Sequence, residues 1–246
     1  GVVATQHSGE VKANHYFLRG FNLAHGTDLS ASVDGVPVNL RTHGHGQGYL
    51  DLNFVIPEII ERVDFRKGPY RASTGDFSAA GSARYTTYDR LDDDFIEIAI
   101  GENGYLRGVA AGDVELANQT HLLLALEAET YAGPWALDQD LEKLNDSSWT
   151  ATDQVPLRTV ESGLIDRFGF IDPDLGGETT RLGINGQTAY THADGAETLI
   201  NAYAVSYDFA LFSNFTYFLN DPINGDEFEQ RDERTYYGAA LNHERS

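Results

Sequence analysis

Alternating apolar and polar residues occupy most of the chain from about residue 93 onward. Such segments are found at residues 95–100, 105–116, 121–131, 146–155, 180–191, 198–215 and 235–243. A two-residue period is typical of β-strands, and no stretch shows the 3.6-residue period of a helix. The pattern predicts about seven antiparallel strands. Most of them reach or exceed the roughly 9–11 residues that cross a bilayer at a barrel tilt.

Residues 1–88 are patterned differently, with many glycines and only short apolar segments. Short strands are predicted at 16–19, 30–33 and 62–66, and one or two helical turns are predicted at 56–60. Asp34-Gly35 stands between two such segments and predicts a tight turn. The pattern therefore predicts a small mixed α/β domain at 1–88 and a strand-rich domain at 89–246.

Composition narrows the class of protein. The net charge is −21, from 38 acidic and 17 basic residues, which disfavours nucleic acid and anionic lipid headgroups as partners. Cysteine is absent, which excludes disulfides, thiolate metal sites and cysteine nucleophiles. The chain carries no serine-hydrolase, phosphate-loop, zinc-protease or dinucleotide motif. The sequence predicts a protein that is not an enzyme and holds no cofactor.

No run of the sequence approaches the roughly 18 apolar residues of a membrane helix. In barrel strands, the side chains alternate between lipid-facing and lumen-facing positions, so the mean hydropathy stays near neutral. The lack of a long apolar run therefore does not exclude membrane-spanning strands.

Four motifs follow one another in the first third of the chain. In order they are NHYFLRGFN at 14–22, VDGVPVN at 33–39, IIERVDFRKGP at 59–69 and GDFSAAGSARY at 75–85. This series resembles the plug domain of TonB-dependent outer-membrane receptors. The resemblance implies that residues 1–88 are a plug, and that residues 89–246 are antiparallel transmembrane strands, a fragment of a β-barrel of about 22 strands.

The resemblance also implies a partner and a location. Such receptors lie in the outer membrane of Gram-negative bacteria, in contact with its lipid, and are driven by a TonB-type inner-membrane energy-coupling protein. The segment that meets this protein is expected upstream of Gly1, so the N-terminal part of the plug domain is expected to be missing.

Loop lengths suggest an interruption inside the chain. The loops at 117–120 and 192–197 are short, whereas those at 132–145, 156–178 and 216–234 are long. Outer-membrane barrels place short turns on the periplasmic side and long loops outside. A single strand at 146–155 would put one long loop on the wrong side. We therefore expect a missing segment at 145/146, comprising an inward strand, its turn and the start of an outward strand.

Histidines are concentrated at the start of the chain, where glycines flank several of them. His7, His25, His43 and His45 are four of the eight histidines. A His-x-His pair on a flexible loop can place two imidazoles on one metal ion. The alternative is that these histidines are ordinary polar loop residues.

The resemblance gives these loops a position. In such receptors, three apical plug loops face the ligand, and here they correspond to residues 6–14, 22–27 and 40–49. The resemblance implies that six residues of these loops contact the ligand: His25, Arg41, His43, His45, Gln47 and Tyr49. Direct metal binding would involve His7, His25, His43 and His45.

A separate set of cations is implied as the plug anchor. In the resembled family, basic residues at the positions of Arg19 and Lys67 pair with carboxylates of the barrel wall. Lys67 replaces the usual arginine, although Arg66 precedes it, and lysine cannot form the same two-point pair with a carboxylate. The alternative for all three is an ordinary solvated charge.

The sequence is thus predicted to be part of a receptor for energised uptake of a scarce nutrient. A ferric siderophore or another metal chelate is the expected substrate. The first alternative is a bare transition metal, Cu or Zn, bound through the apical histidines. An alternative of another class is a soluble acidic all-β binding module.

Overall fold

A computed structural model describes residues 1–5, 13–23, 26–117, 120–131, 141–144, 146–150, 155–167 and 169–245. The N-terminal domain contains seven strands: β1 Val3–Thr5, β2 His15–Leu18, β3 Phe21–Asn22, β4 Leu29–Val33, β5 Val36–Pro37, β6 Ile60–Lys67 and β7 Gly81–Thr87. Eight more strands follow: β8 Phe95–Ile100, β9 Leu106–Ala117, β10 Thr120–Tyr131, β11 Leu141–Leu144, β12 Asp146–Thr150, β13 Gly176–Thr191, β14 Glu197–Ser213 and β15 Phe228–Glu244.

The helical elements are short. Two 3₁₀ turns, Pro57–Ile59 and Ala72–Thr74, lie in the N-terminal domain, and helix α1, Leu157–Glu161, lies between β12 and β13. The helical turn predicted at 56–60 is confirmed as the first 3₁₀ turn, whereas α1 was not predicted. Within the part of the chain that the structure describes, no helix is both long and apolar enough to cross a membrane.

The N-terminal domain is built from two small sheets. One has the order β1-β2-β3 and the other β5-β4-β7-β6, in which β4 and β7 run parallel. Asp34 and Gly35 both have positive φ, 47° and 78°, and they join β4 to β5 as a two-residue hairpin. This geometry is that of the turn for which Asp-Gly is favoured, so the predicted tight turn is confirmed. The core contains Tyr16, Leu18, Leu23, Leu29, Ala31, Val38, Leu50 and Ala80.

The second sheet has eight antiparallel strands in chain order, from β8 at one edge to β15 at the other. The sequence predicted about seven strands, and the additional one is β11, which falls inside the predicted loop 132–145. β11 has only four residues, too few to show a period. β15 begins at Phe228, whereas the sequence predicted a start at 235. The earlier start was missed because the residues from Glu229 to Arg234 are all polar and show no alternation.

Because β11 is an additional strand, every strand after it runs opposite to the direction that the seven predicted strands alone would give. With β11 included, β10, β12 and β14 all end, and β11, β13 and β15 all begin, at one end of the sheet, here called the long-loop end, where the sequence between strands is long. β9 ends beside the start of β10, and β13 ends beside the start of β14, at the opposite, short-loop end, towards which β11 also runs. The asymmetry expected of an outer-membrane barrel is therefore regular along the whole sheet.

The two faces of the sheet differ in chemistry. On β10, Leu122, Leu124 and Leu126 are exposed, whereas Glu127 and Glu129 on the other face meet Arg107 of β9. We call the exposed apolar side the outer face and the side that contacts the N-terminal domain the inner face. The side chains that line the contact at its long-loop end are Ala13, Leu40, Tyr49, Tyr207, Phe209 and Leu211.

Candidate functional site

Residues 40–49 form a hairpin, here called the apical hairpin, that projects from the N-terminal domain. Leu40 and Tyr49 exchange backbone hydrogen bonds of 2.9 and 3.0 Å, and His43 pairs with Gly46 in the same way. The hairpin packs against Tyr207 and Phe209 of β14. Since β14 runs from the short-loop to the long-loop end, these residues place the hairpin in the long-loop half of the sheet.

His43 sits at the centre of the contact between the hairpin and the sheet, with only 8 % of its surface exposed. Its ring stacks on Tyr49 at a centroid distance of 4.0 Å and meets Phe209 edge-on at 4.5 Å. The backbone N–H of His45 donates to Nδ1 of His43 at 3.1 Å, so Nδ1 carries no proton. The neutral ring therefore donates Nε2–H to the Tyr207 hydroxyl, 3.0 Å away.

Burial keeps the His43 ring neutral. It lowers the pKa of the imidazole to about 4, while the nearby Asp232 opposes this change and Arg234 and His45 add to it. A metal ion at His43 would have to displace the hydrogen bond at one of the two ring nitrogens. Direct metal binding by His43, which the sequence predicted, stays a prediction that the observed packing does not favour.

Gly44 brings the backbone of the hairpin against the backbone of β15. Its N–H donates to Asp232 at 2.8 Å, and its carbonyl accepts from Gln230 at 3.2 Å. A Cβ at this position would lie 2.6 Å from the carbonyl oxygen of Arg231. Any residue larger than glycine would therefore separate the hairpin from the sheet.

The other residues predicted to meet a ligand divide into exposed and buried groups. Arg41 is 76 % exposed and pairs with Asp76 at 2.6 Å, and Gln47 is also exposed. His45 is half-buried, with Nδ1 3.2 Å from the side-chain oxygen of Gln230. Tyr49 is buried, and its hydroxyl accepts the N–H of Ala13 at 3.2 Å. Burial raises the pKa of the Tyr49 hydroxyl well above its ordinary value.

The remaining histidines of the prediction, His7 and His25, lie outside the described residues. One group of three possible metal ligands occurs among the residues that the structure describes, and it consists of Asp172, Asp174 and Glu227 rather than of histidines.

Tyr70 is a candidate that the sequence reasoning missed. It is 80 % exposed and follows Gly68-Pro69, at the end of β6. β6 pairs antiparallel with β7, so its last residue lies beside the start of β7, on the same side of the domain as the start of β4. Tyr70 and Asp76 both lie in the connection between β6 and β7, and Arg41 pairs with Asp76. This connection is at the end of β4 opposite Asp34, which meets the short-loop half of the sheet. The turn motif Gly-Pro before an aromatic residue was the available signal.

The two domains are also joined by a buried ion pair. Here the N-terminal domain supplies the acid and the sheet supplies the base, which is the reverse of the predicted anchor. Glu58 of the first 3₁₀ turn meets Arg107 of β9 at two points, 2.6 and 2.9 Å. Glu127 accepts from Nε of Arg107 at 2.6 Å, and a carboxylate oxygen of Glu129 lies 3.7 Å from it. Only 12 % of the Arg107 side chain is exposed. One guanidinium is thus held by three carboxylates, of which one belongs to the N-terminal domain.

The predicted anchor residues lie elsewhere. Arg19 is an exposed turn residue with φ 53°, Lys67 is exposed, and Arg66 is half-buried. None of the three forms an ion pair with the sheet within the described parts of the chain. Their role as an anchor stays a prediction.

A further contact lies at the short-loop end. The side-chain amide of Asn201 on β14 donates to the carbonyl of Asp34 at 2.8 Å. The carboxylate of Asp34 is occupied within its own domain, where it accepts from the N–H and the hydroxyl of Thr87 at 2.9 Å each. The hairpin turn between β4 and β5 is thereby fixed to the sheet through its backbone.

Comparison with known proteins identifies the N-terminal domain. Residues 1–82 match the family model described as TonB-dependent Receptor Plug Domain. The chain also resembles the crystal structure of the ferric-catecholate import receptor Fiu from E. coli K12 in its open form, with a TM-score of 0.53 and 14 % sequence identity. The match covers 94 % of this chain and 41 % of that receptor, so the chain spans less than half of its length. Residues 1–82 therefore match the TonB-dependent receptor plug domain, and the strands that follow share the fold of the matched receptor structure.

Proposed function

We propose that the protein is a TonB-dependent receptor of the Gram-negative outer membrane that imports a metal chelate, most simply a ferric siderophore. The observation that carries the proposal is the apical hairpin. One side of it is docked on β14 and β15 through His43 and Gly44, while Arg41 and Gln47 on it are exposed. A ligand at the plug apex would thus touch an element that is hydrogen-bonded to the eight-stranded sheet, here called the wall.

The ligand chemistry follows from the exposed groups. Arg41 offers a guanidinium fork that suits carboxylate or catecholate oxygens, and Tyr70 offers an aromatic face on the same side of the plug. The neighbouring structure is named as a ferric-catecholate importer, which supports the same class.

A bare Cu or Zn ion is the second candidate, because His45 keeps a half-buried ring beside the exposed residues. It would need histidines other than His43, since both nitrogens of that ring are engaged.

In this proposal the plug gates the path and the wall holds it by two kinds of contact. The Glu58–Arg107 pair and the Asn201–Asp34 bond fasten the plug, and the apical hairpin reports on the ligand. A pull from a TonB-type partner on the plug would separate Glu58 from Arg107. The outer face of the sheet, with Ile96, Ile98 and Leu126, would lie against lipid.

The test is calorimetric titration of the detergent-extracted receptor with a ferric catecholate siderophore, Cu(II) and Zn(II). For a chelate importer, Arg41→Ala lowers siderophore affinity at least tenfold, while Cu(II) and Zn(II) give no saturable binding. Arg62→Ala, on the exposed part of β6, is the matched control and leaves affinity unchanged. Saturable Cu(II) or Zn(II) binding that His45→Ala abolishes would select the second candidate. Binding of neither class would overturn the proposal.

A further inference from the structure

Strands β11 and β12 are far shorter than the strands on either side of them. β11 has 4 residues and β12 has 5, whereas β10 has 12 and β13 has 16. The pair occupies only the long-loop end: β11 covers Ala128–Tyr131 of β10, and β12 covers Gly176–Thr180 of β13. The eight-stranded sheet therefore has a notch between β10 and β13 that reaches to its short-loop end.

The notch leaves two strand edges facing each other. Residues 120–126 of β10 and 181–191 of β13 have no partner strand on the notch side among the described residues. Their backbone N–H and C=O groups on that side point along the plane of the sheet. In the hydrocarbon region of a membrane, such groups must be paired within the protein, which is why membrane-spanning sheets close without an edge.

The notch lies at the level of the apolar outer surface. Leu124 and Leu126 flank it on β10, and Leu182 and Ile184 flank it on β13, and all four are exposed on the outer face. On the inner side is a cavity of about 450 Å³ between plug and wall, lined by Ala125, Glu127 and Gly183 and by plug residues such as Val36 and Phe54. Lipid would therefore have an open route to the plug at this point.

The register of β11 and β12 is a second sign of an interruption. Leu144 is the partner of Asp146, which leaves a single residue between the two paired positions. The shortest common hairpin connection has two residues. The pairing thus brings together the start of one strand and the end of another, with too little chain between them for an ordinary turn.

We propose that the native polypeptide carries a β-hairpin between Asn145 and Asp146, which extends β11 and β12 across the membrane and fills the notch. Asn145 would continue β11 opposite residue 127, so seven further residues would pair with 120–126, eleven would pair with 181–191, and a turn adds at least two, which gives an insertion of about 20 residues. Its residues alternate between apolar side chains that join the outer face and polar or small ones that face the plug. The sealing role rests on the proposed outer-membrane function, but the presence of the hairpin does not.

Peptide mapping of the receptor purified from its native membrane tests the proposal. Trypsin cleaves after Lys143 and Arg158, so a continuous chain would yield the peptide LNDSSWTATDQVPLR. We expect this peptide to be absent and to be replaced by sequence with about 20 additional residues in alternating pattern after Asn145. The tryptic peptide FGFIDPDLGGETTR, from the following loop and β13, is the control and must be found. Detection of LNDSSWTATDQVPLR overturns the proposal, whatever the receptor transports.

Discussion

Glu58 of the plug and Arg107 of the wall face each other as a two-point ion pair, with oxygen–nitrogen distances of 2.6 and 2.9 Å. The pair is shared, because Glu127 on the neighbouring strand holds the same guanidinium from the other side. Plug and wall are thus joined through a cation that already has a partner of its own.

The two halves of this pair should respond differently to removal. Arg107→Ala leaves three carboxylates facing one another and should destabilise the receptor by about 3–5 kcal/mol, the usual cost of breaking a buried pair. Glu58→Ala removes the contact of the plug but leaves Arg107 with Glu127, so about 1.5–3 kcal/mol is expected, the range for a hydrogen bond to a charged group. Thermal unfolding measures both.

Leakage separates the effect of Glu58 on plug retention from its effect on stability. In liposomes, Glu58→Ala should increase the passage of small solutes, whereas Glu61→Ala, an exposed acid on β6, should not. Equal leakage of the two variants, with equal unfolding temperatures, would show that the pair does not hold the plug.

His43 should make the receptor sensitive to acid. Above pH 6.5 the ring is neutral in both the folded and the unfolded chain, so its contribution is constant. Below that value the unfolded chain takes up a proton, while the docked ring, with its pKa lowered to about 4, does not. The stability that His43 contributes is therefore lost as the pH falls from 6.5 through 4.

The phenylalanine variant isolates this contribution. His43→Phe keeps a ring for the stack on Tyr49 and cannot titrate, so its unfolding temperature should fall less between pH 6.5 and 4 than that of the wild type. His243→Ala removes an exposed histidine of β15 and should keep the wild-type slope. Parallel curves for the wild type and His43→Phe would contradict the prediction.

Gly44→Ala should displace the apical hairpin from the wall. The added Cβ would be 2.6 Å from the Arg231 carbonyl oxygen, and both partners are backbone, so neither can turn away. A loss of about 1–3 kcal/mol in unfolding free energy is expected from such overpacking, together with weaker ligand binding. Gly186→Ala, where a Cβ meets no atom within 4 Å, is the control. An unfolding curve like that of the control would exclude the close contact.

Asn201→Asp tests the contact at the short-loop end. The substitution replaces the amide that donates to the Asp34 carbonyl with an oxygen that repels it. Because Asn201 is buried, an unpaired carbonyl should cost about 1–3 kcal/mol. The same change at the exposed Asn242 of β15 should have almost no effect on denaturant unfolding. If both variants unfold alike, the turn at Asp34-Gly35 does not depend on the wall.

The sequence was sufficient for the parts of the fold that depend on local pattern. The Asp34-Gly35 turn was recognised because only a few residue types tolerate positive φ in succession. β11 was missed because four residues carry no period, and the start of β15 was missed because polar residues there occupy both faces.

The candidate site was less predictable, because a loop can be placed at the apex without knowing which side of it meets the wall. His43 and Tyr49 belong to the buried side, and Arg41 and Gln47 to the open one. Glu58 and Arg107 are 49 positions apart, and only the folded chain brings them together.

The surplus of carboxylates around Arg107 has a consequence for the reversibility of the proposed gating. When Glu58 departs, the guanidinium is not stranded, since Glu127 and Glu129 remain beside it. Removal of the plug is then an exchange of partners rather than the exposure of a bare charge. Because both remaining acids belong to β10, they would hold Arg107 in the same orientation while the plug is displaced in the proposed transport. A returning plug would then find its ion-pair partner in place, so each proposed cycle could end where the previous one began.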